Sequence, residues 1–123
     1  EVLRHQPIRV VPLAPAEVSG LLNLRGQIVV TVDLRVRLGL PMRAADAPGV
    51  NVVVHTHEGT VSLLVDQIGD VLEPPETAFE VVPDTVPASL REVVDRVCKL
   101  DDELMLALDT ERAVRPAALV STP

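Results

Sequence analysis

An all-β barrel or sandwich is the fold this sequence predicts, on three observations. Valine dominates the apolar residues, short β-type runs recur about every 8–12 residues, and glycine or proline punctuates the gaps between them. Valine accounts for 23 of the 123 residues. Its branched Cβ stiffens χ1 and suits a pleated strand better than a helix. A chain of this length with 47% apolar residues has material for one domain with a buried core.

The elements follow in order. Residues 8–13 form an extended apolar run that Pro7, Pro12 and Pro15 confine to an edge or an exit. Residues 15–20, with Pro at the front and Gly at the back, predict one short helical turn, and the chain is extended again from Leu21. From Gln27 to Val32, Ile28, Val30 and Val32 share one face while Val29 and Thr31 share the other, as in a strand buried on both sides. Asp33 ends it, and residues 34–40 predict a helical turn closed by Gly39 before Pro41. Residues 42–49 are a loop of Ala, Asp and Pro. Two strands, residues 50–57 and 60–66, flank Glu58-Gly59 as an antiparallel hairpin. The extended chain continues over residues 67–72, with Gly69 as a bulge or bend, until Pro74 and Pro75 end it.

Residues 77–87 are irregular, with strand-type Phe79, Val81 and Val82 between prolines. Ser89 and Glu92 fit a capping box, which places a single helical turn from Leu90. Residues 93–100 and 103–108 form a second hairpin about Asp101-Asp102, and Leu104, Leu106 and Leu108 fall on one face of its second strand. No βαβ pattern and no internal repeat is present. The domain is expected to span residues 1–116, with a frayed tail over 117–123.

Composition narrows the function. A formal net charge of -7, from 11 Lys and Arg against 18 Asp and Glu, opposes nucleic acid and anionic lipid over most of the surface. Phe79 is the only aromatic residue, which argues against sites that stack bases, sugars or flat cofactors. The longest uninterrupted apolar run is about as short as Leu104–Leu108, far below the roughly 20 residues of a membrane-spanning helix. The lone Cys98 forms no internal disulfide, suits a reducing cytoplasm and reads as a small buried hydrophobe. The chain opens at Glu1 without an initiator Met or a signal pattern, so a trimmed piece is expected.

Catalytic and metal chemistry find little support. His55 and His57 are two apart on an expected strand, so both rings would leave the same face and could hold a transition metal. A third ligand is missing nearby, with His5 distant and Cys98 expected in the core, so a solvated strand face is the plainer reading. Asp66, Asp70 and Glu73 could be paired acids, and Asp101 with Asp102 could bind a cation. At turns and strand ends, however, Asp normally satisfies local backbone donors. Nucleophile elbows, phosphate loops, dinucleotide fingerprints and Cys-x-x-Cys pairs are absent.

What remains is the string Asn23-Leu24-Arg25-Gly26, followed by the strand from Ile28 to Val32, then Asp33-Leu34-Arg35 and Leu38-Gly39. An Asn at a strand entrance can bond its own backbone, Gly26 permits a backbone angle that Cβ would forbid, and Arg25 then projects from a fixed turn. Its guanidinium fork suits a carbonyl or carboxylate on a partner, and equally an acid of its own domain. This string closely resembles the signature of CheW-like domains. The likeness extends to residues 15–20, to Leu64-Val65-Asp66 with Ile68, Asp70 and Val71, and to residues 97–112, which resemble the closing hairpin and acidic ending of that family.

The resemblance implies two small five-stranded barrels about a shared core, with short helical turns, no catalysis, no cofactor and no metal. It implies an adaptor that binds the regulatory domain of the histidine kinase CheA and the cytoplasmic tip of a chemoreceptor, and so a cytoplasmic protein associated with membrane receptor arrays. Gly20, Arg25, Ile68 and Val71 would face the receptor, the chain around Glu1 would face the kinase, and Asn23, Gly26 and Asp33 would build the signature. Family members usually begin about two strands, roughly 30 residues, before the position matched by Glu1. Without those strands an edge is left unpaired, and instability or strand exchange between copies is expected. The poverty in aromatics and the Pro-rich residues 74–87 also depart from the family. The regulatory domain of a CheA kinase, a module of a CheV-type protein, a small metal-binding enzyme using His55, His57 and a carboxylate, and an all-β interaction module of some other system are the alternatives.

Overall fold

The structure, a computed structural model, describes residues 1–4, 6–44 and 46–119, the last two by backbone alone. Eight strands make up most of the regular structure: β1 Val2–Arg4, β2 Val18–Leu24, β3 Gln27–Asp33, β4 Val50–Thr56, β5 Gly59–Val65, β6 Phe79–Glu80, β7 Val94–Lys99 and β8 Leu104–Leu108. Three single helical turns join them, α1 Leu34–Arg37, α2 Ala88–Arg91 and α3 Thr110–Ala113, together with 3₁₀ turns at Glu76–Ala78 and Arg115–Leu119. The all-β expectation therefore holds. Among the described residues no helix is long and apolar enough to cross a membrane.

The first sheet has five strands in the order β1-β4-β5-β3-β2. Every pairing is antiparallel except β3 with β5, where Val30 lies beside Val61 and Asp33 beside Leu64. That parallel pair went unforeseen, because β4 intervenes in sequence and the local pattern shows only hairpins. The sheet curls until one segment joins its two edges. β1 lies on β4, and a few residues later Arg9 exchanges two backbone hydrogen bonds of 2.8 Å with Leu21 on β2.

Gly20 lies under that crossing. Its φ is +152°, and a Cβ there would stand 2.4 Å from the Arg9 carbonyl oxygen and 2.5 Å from Ile8 Cγ2. Only glycine lets the closing segment approach so near. A register skip between Val18 and Gly20 marks a bulge of the kind that sharpens strand curvature.

The second sheet has three strands among the described residues, in the order β6-β7-β8. The resemblance implied five. β8 pairs with β7 on one side only.

The two sheets share apolar packing. Val32, Val61 and Leu63 of the first sheet are covered by Val114 and Ala117, which follow β8 in sequence. Val93, Val94 and Ala113 are packed in turn by Leu34 and Leu38, which follow β3. Leu108 touches both clusters. Arg37 reinforces the joint, donating to the Arg112 carbonyl at 3.1 Å and pairing with Glu92 at 3.5 Å.

Several local expectations fail for identifiable reasons. Residues 15–20 form no helix: Val18 N–H closes a turn on the Pro15 carbonyl at 2.9 Å, and pairing with β3 then draws residues 18–24 into a strand. Residues 67–72 are not a strand and Gly69 is not a bulge, because among the described residues no neighbouring edge offers that segment backbone partners. The Ser89/Glu92 capping box is unused. α2 starts two residues earlier, at Ala88 after Pro87, with no side-chain cap. The leucine face of β8 turns outward, Leu104 being 64% and Leu106 40% exposed, while Leu108 reaches the core. Ala117, expected in a frayed tail, is 1% exposed within the first core.

Candidate functional site

The signature string folds into a tight hairpin turn between β2 and β3. Arg25 and Gly26 are its central residues, with φ of +51° and +87°, the left-handed pair that a two-residue hairpin of right-twisted strands requires. An arginine in that region carries a steric cost of roughly 1–2 kcal/mol. Asn23 offsets it locally, its Oδ1 accepting from Gly26 N–H at 2.8 Å. Arg25 is thereby aimed from a fixed base.

Its guanidinium grips Glu1 with both ends of the fork, at 2.6 and 3.0 Å. Glu1 is itself held by its backbone, which bonds Val53 in both directions at 2.7 and 3.0 Å. The Arg25 hydrogen bond holds the Glu1 carboxyl below its ordinary range. The sequence left Arg25 open between a partner and an acid of its own domain. The structure places it on an acid, and the acid is the residue expected to face the kinase. Even so, 68% of the Arg25 side chain remains exposed.

A second charged cluster stands at the other end of β3, about 20 Å away along the strand. Asp33 caps α1, accepting from Arg35 N–H at 3.0 Å, and its other oxygen accepts from Arg43 Nη1 at 3.1 Å. Arg43 Nη2 reaches Asp66 at 3.0 Å, and Arg35 Nη1 reaches the same carboxylate at 2.8 Å. Arg43 and then Arg35 hold the Asp66 carboxyl below its usual range. Asp66 was expected to serve local backbone donors but binds two guanidiniums instead. Arg43 was missed altogether, because a cation in an irregular loop carries no periodic signal.

Ile68 and Val71 follow Asp66 and are 51% and 92% exposed. The four residues expected to face a receptor thus fall in three settings. Gly20 is buried in the wall of the first sheet, Arg25 stands at one end of β3, and Ile68 and Val71 lead away from its other end. Asp70 and Glu73 form no ion pair among the described residues.

The histidines do not converge. β4 stops at Thr56 because Thr56 pairs with Gly59, so His57 lies in the turn and not on the strand face of His55. His55 Nδ1 lies 3.1 Å from Thr60 Oγ1, and His57 Nδ1 lies 3.3 Å from Glu111. His5 lies outside the described residues. Among those described, no group of three His, Cys, Asp or Glu could hold a metal ion. Cys98 is fully buried, as a small hydrophobe would be.

Comparison with known proteins agrees with this geometry. The model of the CheW-like domain matches residues 1–117. A probable chemotaxis protein CheW of Rhizobium etli is 26% identical over 111 residues, which are 90% of this chain and 72% of that protein. The chemotaxis protein CheW of Rhizobium meliloti is 33% identical over 84 residues, 68% of this chain but just 54% of the relative. The crystal structure of the scaffolding protein TtCheW from Thermoanaerobacter tengcongensis superposes with a TM-score of 0.82 at 25% identity, covering 94% of this chain and 78% of that one. With the family's model matched over residues 1–117 of its 123, the chain belongs to the CheW-like domain family.

Proposed function

We propose that this chain is a non-enzymatic chemotaxis adaptor that couples chemoreceptors to the histidine kinase CheA by surface contacts. The observation that carries the reading is the family match across residues 1–117. The names of the relatives favour an adaptor over a kinase regulatory domain or a CheV-type module. The surface suits the task. Arg25 stands at one end of β3, and exposed Ile68 and Val71 follow the chain beyond its other end, a pairing of one arginine with apolar residues that suits an amphipathic helix. Apolar area on such a face supplies affinity, and the arginine fixes register. Gly20 contributes by holding the wall in shape. Glu1, on β1's side of the first sheet, marks the kinase-facing region. The protein acts in the cytoplasm at receptor arrays and needs neither nucleic acid nor direct contact with lipid.

Calorimetric titration of the chain with a helical receptor-tip fragment tests this. Val71→Glu places a charge where the reading requires apolar contact, and should weaken receptor binding by about tenfold or more while the CheA regulatory domain binds as before. Unchanged receptor affinity would remove Val71 from the site. Absence of binding to either partner by the wild-type chain would sink the adaptor reading.

A further inference from the structure

We infer that Arg43 is a positioning residue: its guanidinium fixes the course of residues 66–72 as they leave the first sheet, by bridging Asp66 to Asp33. In the adaptor reading, on which this consequence rests, those residues carry the receptor-facing Ile68 and Val71.

Asp66 is the first residue past β5, and the chain beyond it has few ties. Among the described residues, residues 67–74 form no backbone hydrogen bond and no side-chain ion pair. Its polar ties among the described residues lie at its ends, and between them Gly69, Asp70 and Leu72 line a cleft with Leu100, Leu104 and Met105. Downstream, Glu76 pairs with Arg96 and β6 joins β7. Upstream, the anchor is the Asp66 carboxylate. What holds that carboxylate is therefore what aims the segment.

Arg43 is suited to hold it. Its side chain is 12% exposed and spans Asp33, itself 16% exposed, and Asp66. Asp33 is already fixed as the cap of α1, so the bridge ties Asp66 to the rigid end of β3. Charges alternate through Asp33, Arg43, Asp66 and Arg35, which limits the cost of burying the central guanidinium. Arg43 Nε is buried without a hydrogen-bond partner, so the two fork ends carry all its bonding. Gly49 keeps the loop close: a Cβ there would stand 3.0 Å from Leu64 Cδ1 and 3.6 Å from Arg43 Nε. Lysine is a point charge with no such fork and cannot hold two carboxylates in fixed relation.

The test compares the full chain with Arg43→Lys and Arg43→Met, using backbone NMR order parameters for residues 67–72, melting temperature, and separate titrations with a receptor-tip fragment and the CheA regulatory domain. Lower order parameters are expected in both variants. Receptor binding should weaken by about three- to tenfold, kinase binding should stay within about twofold, and the melting temperature should fall more in Arg43→Met, which leaves Asp33 unpaired, than in Arg43→Lys. Unchanged order parameters would overturn the inference, as would parallel loss of both affinities with the melting temperature, which would mark Arg43 as merely structural. If the wild-type chain binds no receptor fragment, the adaptor reading falls, and the order parameters alone still decide the role of Arg43.

Discussion

The two sheets are built from the same alternating apolar code, yet they treat it differently. In the first sheet Leu22 on β2 is 2% exposed, while on β8 of the second sheet Leu106 is 40% exposed. In the first sheet the outer edge of β2 is engaged by Arg9, on the chain that leaves β1. The second has no partner on the outer edge of β8 among the described residues. Alternation specifies that a strand will have two unlike faces. Which face is buried depends on what the rest of the chain brings against it.

The sharpest way to break this contrast is at the closure of the first sheet. Gly20→Val sets a branched side chain against the Arg9 backbone in a backbone region reserved for glycine, and should cost at least about 3 kcal/mol. Urea denaturation measures it, and a loss under about 1 kcal/mol would mean that the Arg9 crossing does not hold the sheet.

A matched pair of leucines sharpens the comparison. Leu22→Ala should lose about 2–5 kcal/mol through lost burial and the cavity left behind, whereas Leu106→Ala should stay within about 0.5 kcal/mol. Equal losses in denaturation midpoints would show that the β8 face is covered in solution, whether by a second copy or by another segment.

Acid sensitivity gives the smallest effect, one in each region. Asp66 in the first is held low by Arg43 and Arg35, and Asp109 in the second by Arg112. Both carboxyls have folded values below their unfolded ones. Their stabilisation is therefore fully present above the unfolded value of about 3.9 and is lost as pH falls through the lowered folded values. Melting curves from neutral pH downward should show a decline on the acid side, and Arg43→Met, which brings the folded Asp66 value closer to the unfolded one, should show a shallower decline. An acid limb identical in the variant would contradict the assignment of Asp66 to Arg43.

Much of the fold is legible in the residues because its causes are local. The hairpin of β4 and β5, the turn at Asn23 to Gly26 and the Asp33 cap each depend on a handful of neighbouring side chains. The failures share the opposite character. Val18 joins a strand because β3 is there to pair with it, the segment after Asp66 stays irregular because no edge receives it, and Ala117 is buried because the chain returns to cover the first sheet. At the site, Arg25 was identifiable from its turn, although its bond to Glu1 depends on a pairing with β4 that no local pattern announces. Arg43 meets Asp33 and Asp66 only through the tertiary path of a loop.

The adaptor proposal requires one chain to hold two partners at once, with the receptor-facing Arg25 adjoining the kinase-facing Glu1 through their ion pair. A pull-down with the CheA regulatory domain and a receptor-tip fragment, alone and together, for wild type and Arg25→Ala, tests it most directly. Recovery of all three components with wild type is expected, with the receptor lost and the kinase retained in Arg25→Ala, whose exposed ion pair should leave the melting temperature nearly unchanged. Recovery of neither partner, or displacement of one by the other, would contradict it.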